Sequence, residues 1–429
     1  MARGRTGGDM ATGATVDCLV VGAGVSGLAT ALALVEAGRE VTVIDAGTIG
    51  SGASHGNCGT LTPSHAPPLA GPGTLARVLR WMFTPDAPLY VKPSLSPSRL
   101  RWFLGFARRC NARDYAASAR AKYALLADSR QRIADWIARH GLECGFHESG
   151  EDYVFRTRRA LESELEDLPL LRALGIDVEV FDGAAYEAQE PALKPGVAGA
   201  MRFSGDAALR PDHYVSELAR VLRLHGGHVF ERCQLRGLAR DRHGLLADTS
   251  RGRIQARDVV LTTGAWAPLL ARAVGQRWLR GAIQPGKGYS ITYAPPALLP
   301  KRALVLIEPS VCVTSWRGGY RLGSTMEFSG FDDSLNERRL GALERGATEF
   351  LRQPTGPEVQ EKWCGWRPMS RDDIPLIGRA PGQPGLWLNL GHGMMGVGMS
   401  AGGGQLLADL ITGRAPDLDP APFDPARLA

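Results

Sequence analysis

A short apolar run, Asp17-Cys18-Leu19-Val20-Val21, breaks into Gly22-Ala23-Gly24-Val25-Ser26-Gly27 and passes straight into the helix formers Leu28-Ala29. In such a stretch the first glycine permits a tight turn. The second lets backbone approach a pyrophosphate, and the third lets the helix lie close on the strand. The helix start then offers unpaired N–H groups and a positive dipole end to phosphate oxygens. A second apolar run, Glu40-Val41-Thr42-Val43-Ile44, ends on Asp45, at the spacing of about 20 residues where an acid takes ribose hydroxyls. The reading is a β-α-β dinucleotide site, and it commits the chain to a parallel sheet with helices packed on it.

A chain of 429 residues has room for two or three domains. Its net charge of +6 is carried mostly by arginine, and it fits a solvated surface or a face that attracts anionic substrates or an anionic membrane. Nucleic acid is not an expected partner, because no basic run is interleaved with aromatics as in a binding module. The seven cysteines are scattered, odd in number and without C-x-x-C spacing, which predicts reduced thiols in the cytoplasm and no zinc or iron–sulfur site. Residues 1–15 lack an apolar core and read as a loose lead-in, not a secretory signal. No apolar run reaches the ~18 residues of a membrane span. The expected location is the cytoplasm, or the inner face of the cell membrane as a peripheral protein.

The loop after Asp45, from Ala46 to Gly59, is rich in glycine and serine. It cannot build core, and its use is to lay backbone and hydroxyls against a ligand. The G-x-G-x-x-G turn, the acid after the second strand and G-S-G-A-S-x-x-N-x-G at residues 50–59 together resemble the D-amino-acid-oxidase-like superfamily of flavoproteins. The continuation over residues 60–73 is closer to its D-amino-acid dehydrogenase branch. That family usually carries Glu where this chain has Asp45, and the shorter acid still accepts from ribose hydroxyls. Three later stretches extend the resemblance over residues 16–413. They are Val259 to Ala267 around Thr263-Gly264-Ala265-Trp266, the block Trp366 to Gly378, and Gly391-His392-Gly393-Met394-Met395-Gly396-Val397.

The resemblance implies an α/β fold. A Rossmann-like, glutathione-reductase-like FAD domain would be joined to a second α+β substrate domain on a mainly antiparallel sheet. Motif placement divides the FAD domain into residues 16–75, 195–275 and 358–415. The substrate domain takes 76–194 and 276–357, and 1–15 and 416–429 are flexible termini. Helices are predicted from about Ala116 to Leu142, from Arg158 to Leu174 and from Leu335 to Leu351, with a hairpin turning at Arg317-Gly318-Gly319. Residues 76–113 alternate basic and aromatic side chains: Arg77, Arg80, Trp81, Met82 and Phe83, then Arg99, Arg101, Trp102, Phe103, Phe106, Arg108 and Arg109. They read either as helices packed on the core or as a patch lying on a membrane or a partner subunit.

A single strand-turn-helix site suits either NAD or FAD. The decider is the C-terminal G-H-G-x-x-G, read as the start of a final helix running to Ile411. A second glycine-built helix N-terminus can hold negative charge that develops on a reduced flavin. The residues expected to bind FAD are Gly22, Gly24, Val25, Ser26, Gly27, Asp45, Ala46, Ser51, Ser54, Asn57, Gly59 and Leu61. Further along the chain they are Leu235, Thr263, Gly264, Trp266, Gly391, Gly393, Met394, Met395, Gly396 and Val397. Some relatives attach flavin through a cysteine or histidine. Cys364 and His55 lie near those positions but offset from them, so non-covalent FAD is expected.

Hydride transfer from a carbon bearing nitrogen requires that the C–H be aimed at flavin N5, and no nucleophile or acid/base dyad is needed. The natural anchor for an amino-acid carboxylate is a bidentate arginine, and the resemblance places Arg367 there. Tyr289 is a candidate to donate to that carboxylate or line the ring. His392 is a candidate to touch substrate or flavin, and Lys287 to face the flavin. The leading expectation is oxidation of a D-amino acid, or of a cyclic imino acid such as D-proline or D-hydroxyproline, to an imino acid that hydrolyses to the 2-oxo acid. Electrons would pass to a quinone or another acceptor. Alternatives are a glycine or N-methyl amino acid oxidase using O2, a flavin subunit of a larger dehydrogenase complex, and a module that only binds FAD. No metal is expected.

Overall fold

The computed structural model describes residues 14–81, 89–93 and 96–429. Most of the expected lead-in, residues 1–13, lies outside the described residues, as do Met82 and Phe83. So do the side chains of Arg77, Arg80 and Trp81.

Two sheets carry the molecule. In the first, the strands Ala14–Val21, Val41–Ile44, His228–Phe230, Gly252–Leu261 and Leu386–Leu390 run parallel, with Ala14–Val21 between Val41–Ile44 and Gly252–Leu261. Leu235–Asp241 and Gly244–Thr249 extend it as an antiparallel meander, and Leu376–Arg379 pairs beside Leu386–Leu390. Every residue of Val41–Ile44 and Leu386–Leu390 is buried, as parallel strands covered on both faces require. One face is covered by the helices Val25–Glu36, Ala112–His140, Pro211–Leu224 and Ser400–Thr412. The helices Val25–Glu36 and Ser400–Thr412 lie so close that a Cβ on Gly404 would stand 2.9 Å from Ala29 backbone.

Arg39 ties the parallel strands at their edge. Its guanidinium pairs with Asp17 on one strand and with Asp258 on the next at 2.8 Å. Asp258 also accepts from the Trp387 indole at 2.9 Å, so three neighbouring strands share one buried polar cluster.

The second sheet is mostly antiparallel, in the order Val359–Ser370, Ile283–Tyr293, Gly319–Phe328, Val311–Trp316, Ala303–Leu306, Glu151–Phe155, Gly199–Phe203, Glu179–Asp182. This is the expected fold class, and its hairpin turns where the glycines at 318 and 319 predicted. The helix expected from Ala116 spans Ala112–His140 and ends on Gly141 in the left-handed region at φ 60°. The expected helix from Arg158 to Leu174 is instead two, Arg158–Leu165 and Leu168–Ala173. Pro169 has no N–H to continue the first and sits where a new helix tolerates proline.

Packing corrects one expectation and matches one of two alternatives left open for another. The C-terminus is not loose: Phe423 and Leu428 are buried, and Arg427 forks onto Asp372 at 2.8 and 3.3 Å. In the helix Pro97–Arg109 the aromatics turn inward, as the core-packed reading expected. Trp102 is buried, donates to the Met369 carbonyl at 2.9 Å and stacks on Phe106, while Phe103 meets Phe328. Leu100 and Leu104 are the exposed large apolar residues of that helix. No helix among the described residues is long and apolar enough to cross a membrane.

The first turn depends on the absence of a side chain at Gly27, where a Cβ would stand 1.8 Å from the Gly22 carbonyl oxygen. Gly27→Ala is expected to destabilise the protein by about 2 kcal/mol and to weaken flavin retention, because backbone must shift to admit one methyl. Thermal unfolding together with the flavin-to-protein absorbance ratio checks this; an unchanged ratio and melting temperature contradict it.

Candidate active site

The sequences that end the parallel strands open onto one cavity of about 1870 Å³, which is also walled by the second sheet. At one end lie Gly22, Gly24, Val25 and Ser26. Gly22 sits at φ 117°, and the Thr262 hydroxyl donates to the carbonyls of Val21 and Gly22 at 2.9 and 3.0 Å, which pins the turn. The Ser54 hydroxyl accepts from Val25 N–H at 3.1 Å. The N–H groups of Gly24 and Ser26 find no acceptor among the described residues. Asp45 accepts from Ala23 N–H at 2.6 Å through one oxygen and from Gly47 N–H at 2.7 Å through the other. Its carboxylate therefore braces the glycine turn while keeping further lone pairs for a hydroxyl.

Ala46, Ser51, Asn57, Leu235, Thr263, Gly264 and Trp266 also border the cavity. Ser51 donates to Thr48 and Asn57 accepts from Gly59, so both shape their own loop. The Thr263 hydroxyl is buried at the wall without a partner among the described residues. Five expected residues do not border the cavity. Gly27 packs helix on strand, and Gly59 leaves room for the Leu209 carbonyl, 2.0 Å from where its Cβ would stand. Leu61 is buried in a strand pair with Ala207, and Gly391 supports the turn that follows it at φ 78°. Lys287 points away: its ammonium lies 5.0 Å over the Tyr289 ring and donates to the Ser334 carbonyl at 2.5 Å.

At the far end Gly393, Met394, Met395, Gly396 and Val397 line the wall in consecutive turns. The final helix starts only at Ser400, later than the glycine pattern suggested, so the turn itself and not the helix end meets the cavity. Within it, the N–H groups of Met394, Gly396 and Val397 have no acceptor among the described residues. His392 borders the cavity, but its Nε2 is buried without a partner, 3.6 Å from where a Gly403 Cβ would stand. Burial pushes its imidazole down to about 4, so the ring is neutral.

Arg367 lies on the wall between these ends, across the strand pair from Gly286. Its guanidinium rests over Gly288, where a Cβ would meet it at 2.4 Å. One nitrogen donates to the Thr325 carbonyl at 2.6 Å and another to Ser324 at 3.3 Å. Those two residues form a bulge opposite Gly288, with φ of 47° and 123°, a conformation that non-glycine residues adopt only when their surroundings enforce it. No carboxylate pairs with Arg367 among the described residues, and burial presses its guanidinium below the ordinary value. Tyr289 also borders the cavity, but its hydroxyl donates to buried Glu327 at 3.2 Å. Burial, then Glu327, push its phenol up.

Neither position considered for a covalent flavin borders the cavity. His55 pairs with Glu361 at 2.7 Å, and the Cys364 thiol donates to the Asp333 carbonyl at 3.5 Å. All seven cysteines are free, and no cluster of metal-ligating side chains occurs among the described residues. Sequence reasoning missed the Ser324–Thr325 bulge and a contact between Cys58 and Cys312 at the cavity wall. It also missed His65 with Glu151 behind it. His65 stands in the continuation over residues 60–73, but nothing local marks its partner.

Glycine turns at both ends, unspent N–H groups in each, and a buried unpartnered hydroxyl at Thr263 fit a long anionic cofactor with a planar ring. A family model described as FAD dependent oxidoreductase matches residues 17–410. A D-amino acid dehydrogenase of Cereibacter sphaeroides is 33% identical over 418 residues, which cover 94% of this chain and 93% of the relative. One from Granulibacter bethesdensis is 32% identical, covering 96% and 99%. Among solved structures, glycine oxidase from Geobacillus kaustophilus superposes with a TM-score of 0.74 at 23% identity, covering 96% of this chain and 98% of that one. L-proline dehydrogenase from P. horikoshii superposes with a TM-score of 0.71 at 17% identity, covering 97% and 98%. At these identities the two structures show a shared fold.

The loop that carries Ser54 and Asn57 is anchored through His55. Its hydrogen bond to Glu361 raises the imidazole value above normal, against a smaller opposing effect of burial. A raised folded value stabilises fully below about pH 6.5 and is lost as pH rises through it. The melting temperature of the native protein relative to His55→Gln is therefore expected to narrow as pH goes from 6 to 9, and a constant gap contradicts it.

Proposed function

Because the chain belongs to the FAD-dependent oxidoreductase family, we propose that it oxidises the C–N bond of a D-amino acid, or of a cyclic imino acid such as D-proline or D-hydroxyproline. The observation that carries this is Arg367, a guanidinium on the cavity wall with backbone carbonyls for partners and no carboxylate of the protein to neutralise it. An α-carboxylate supplies that missing charge through two parallel hydrogen bonds.

The residues that would hold FAD are the Gly22–Ser26 turn at the pyrophosphate, Asp45 at the ribose, Leu235 by the adenine and the Gly393–Val397 turn at the ring. When bound, FAD accepts the hydride that leaves the substrate's α-carbon. Arg367 fixes the carboxylate and so limits the orientations of that C–H bond, an entropic saving at the transition state. The bulge carbonyls of Ser324 and Thr325 hold the guanidinium plane in place, so that little side-chain freedom remains to be lost on binding. Trp102, Phe103 and Met369 make the adjoining wall apolar, which keeps water from competing for the carboxylate. Tyr289 packs its ring at the cavity with its hydroxyl committed to Glu327, and so shapes the site through its face. The imino acid product is released to water, where it hydrolyses to the 2-oxo acid and ammonia. The electron acceptor we favour is a quinone or similar carrier.

Three outcomes are expected. Arg367→Ala raises KM for carboxylate substrates about 100-fold, matching the ~3 kcal/mol of charge-assisted hydrogen bonds removed, and Arg367→Lys recovers only part of it. Unchanged KM in both variants removes the anchor. Acid precipitation of the purified protein releases all the yellow flavin into the supernatant; colour kept in the pellet means covalent attachment. In air, a D-amino acid panel gives turnover with a soluble quinone and little hydrogen peroxide, whereas peroxide in step with turnover selects an oxidase using O2.

A further inference from the structure

Behind the cavity wall stands a carboxyl group with no hydrogen-bond partner among the described residues. Glu151, on the strand Glu151–Phe155, is wholly buried, and neither oxygen meets a donor. A group left so costs stability, and its retention calls for a role. Its Oε2 lies 3.5 Å from Nδ1 of His65, whose side chain is 30% exposed and borders the cavity. That Nδ1 also meets the Thr62 hydroxyl at 2.8 Å, which leaves Nε2 with no partner among the described residues.

An amino acid enters as an ammonium, and its nitrogen must lose a proton before hydride can leave the adjoining carbon. Three other titratable groups that border the cavity are committed elsewhere. Tyr289 donates to Glu327, Asp45 accepts two backbone amides, and His392 turns its Nε2 towards Gly403. Arg367 is itself a cation. His65 borders the cavity with Nδ1 engaged by Thr62 and no partner for Nε2 among the described residues.

We propose that His65 takes up the proton lost by the substrate ammonium, with Glu151 as the positioning residue that holds the imidazolium so formed. This rests on the amine-oxidation reading above. The N–H bond of the ammonium breaks, the proton passes to Nε2, and the electron pair stays on nitrogen. That pair then forms the C=N bond as hydride departs with the electrons of the C–H bond.

The surroundings suit such a pair. From its own strand Glu151 and the Tyr153 ring face His65, the ring centroids 5.3 Å apart. Lys122 approaches from the helix Ala112–His140, held by Asp373 at 2.7 Å. Asp206 accepts from the Ser64 hydroxyl on the adjoining turn. Burial, then Lys122, hold His65 down to about 4, so it is neutral before substrate arrives. Burial, then Asp206, Cys58 and Asp152, push Glu151 well up. A proton taken up at Nε2 leaves the Nδ1 side of the ring facing Glu151, 3.5 Å away.

The test uses flavin-loaded protein and measures kcat and KM from pH 6 to 10 for the best substrate of the D-amino acid panel. His65→Ala is expected to lower kcat/KM about 100-fold at pH 7, a general base's usual contribution. The deficit should close towards pH 10, where the substrate supplies its own neutral amine, and added imidazole should restore part of the rate at pH 7. Glu151→Gln, which keeps the shape, should lower kcat by about tenfold at pH 7 and move the pH limb. A loss equal at every pH without imidazole rescue, or a change confined to KM, overturns the proposal. In a second readout, the ring signals of carbon-13-labelled histidine, assigned with His65→Gln, should show a His65 titration that Glu151→Gln displaces; an unmoved titration removes Glu151 from the pair. If no amine bleaches the native flavin anaerobically, the amine reading fails and the proton route with it. Bleaching with a pH-independent loss in the variants removes the proton route alone.

Discussion

Everything in this protein is arranged about the contact between the first strand and the first helix. A Cβ at Gly27 would overlap the Gly22 carbonyl, and one at Gly22 would stand 2.6 Å from the Thr262 carbonyl. Three chain segments thus meet at a point where there is room for backbone only. Because they meet, the helix can aim its first N–H groups along the strand ends, and the strands Ala14–Val21 and Gly252–Leu261 can stay paired up to the turn. The same economy recurs where Gly404 admits the final helix against Ala29. Without these close approaches the cavity would lose one of its ends.

The second sheet completes the site by a different means. Its strands Ile283–Tyr293 and Val359–Ser370 run side by side for their whole lengths, and Gly288 faces Gly365 across the pair. That bare patch is where the Arg367 guanidinium lies, and the bulge at Ser324 and Thr325 turns two carbonyls onto it. A guanidinium satisfied by neutral acceptors keeps its full charge for a ligand, whereas one paired with a carboxylate would not. Strain in the bulge, burial of the cation and access to the cavity are three aspects of one arrangement.

The polar groups behind the wall follow a consistent logic. Glu327, Glu151 and Asp206 are buried carboxyls that each address a residue in contact with the cavity or with its lining turn. In a low-dielectric surrounding such groups act on their neighbours more strongly than they would in water. They stand behind Tyr289, His65 and Ser64 without themselves bordering the cavity.

Much of this was legible in the residues alone wherever a local rule applied. The strand, turn and helix at Gly22–Gly27, the hairpin at Arg317–Gly319 and the family membership all rest on short-range patterns of glycine, apolar runs and motif spacing. Neighbours in sequence are neighbours in space there, so the pattern carries its own geometry. The inward turn of Trp102, the diversion of Lys287 to Ser334, the late start of the final helix at Ser400 and the packed C-terminus were not legible. Each is decided by which surface a side chain meets across the fold, and no local preference encodes that. For the same reason the sequence named Arg367 by its motif, but only the tertiary structure supplied the carbonyls that hold it and the lack of a competing acid. His65 and Glu151 belong wholly to that second kind: two residues far apart in the chain that meet only because the fold buries one behind the other.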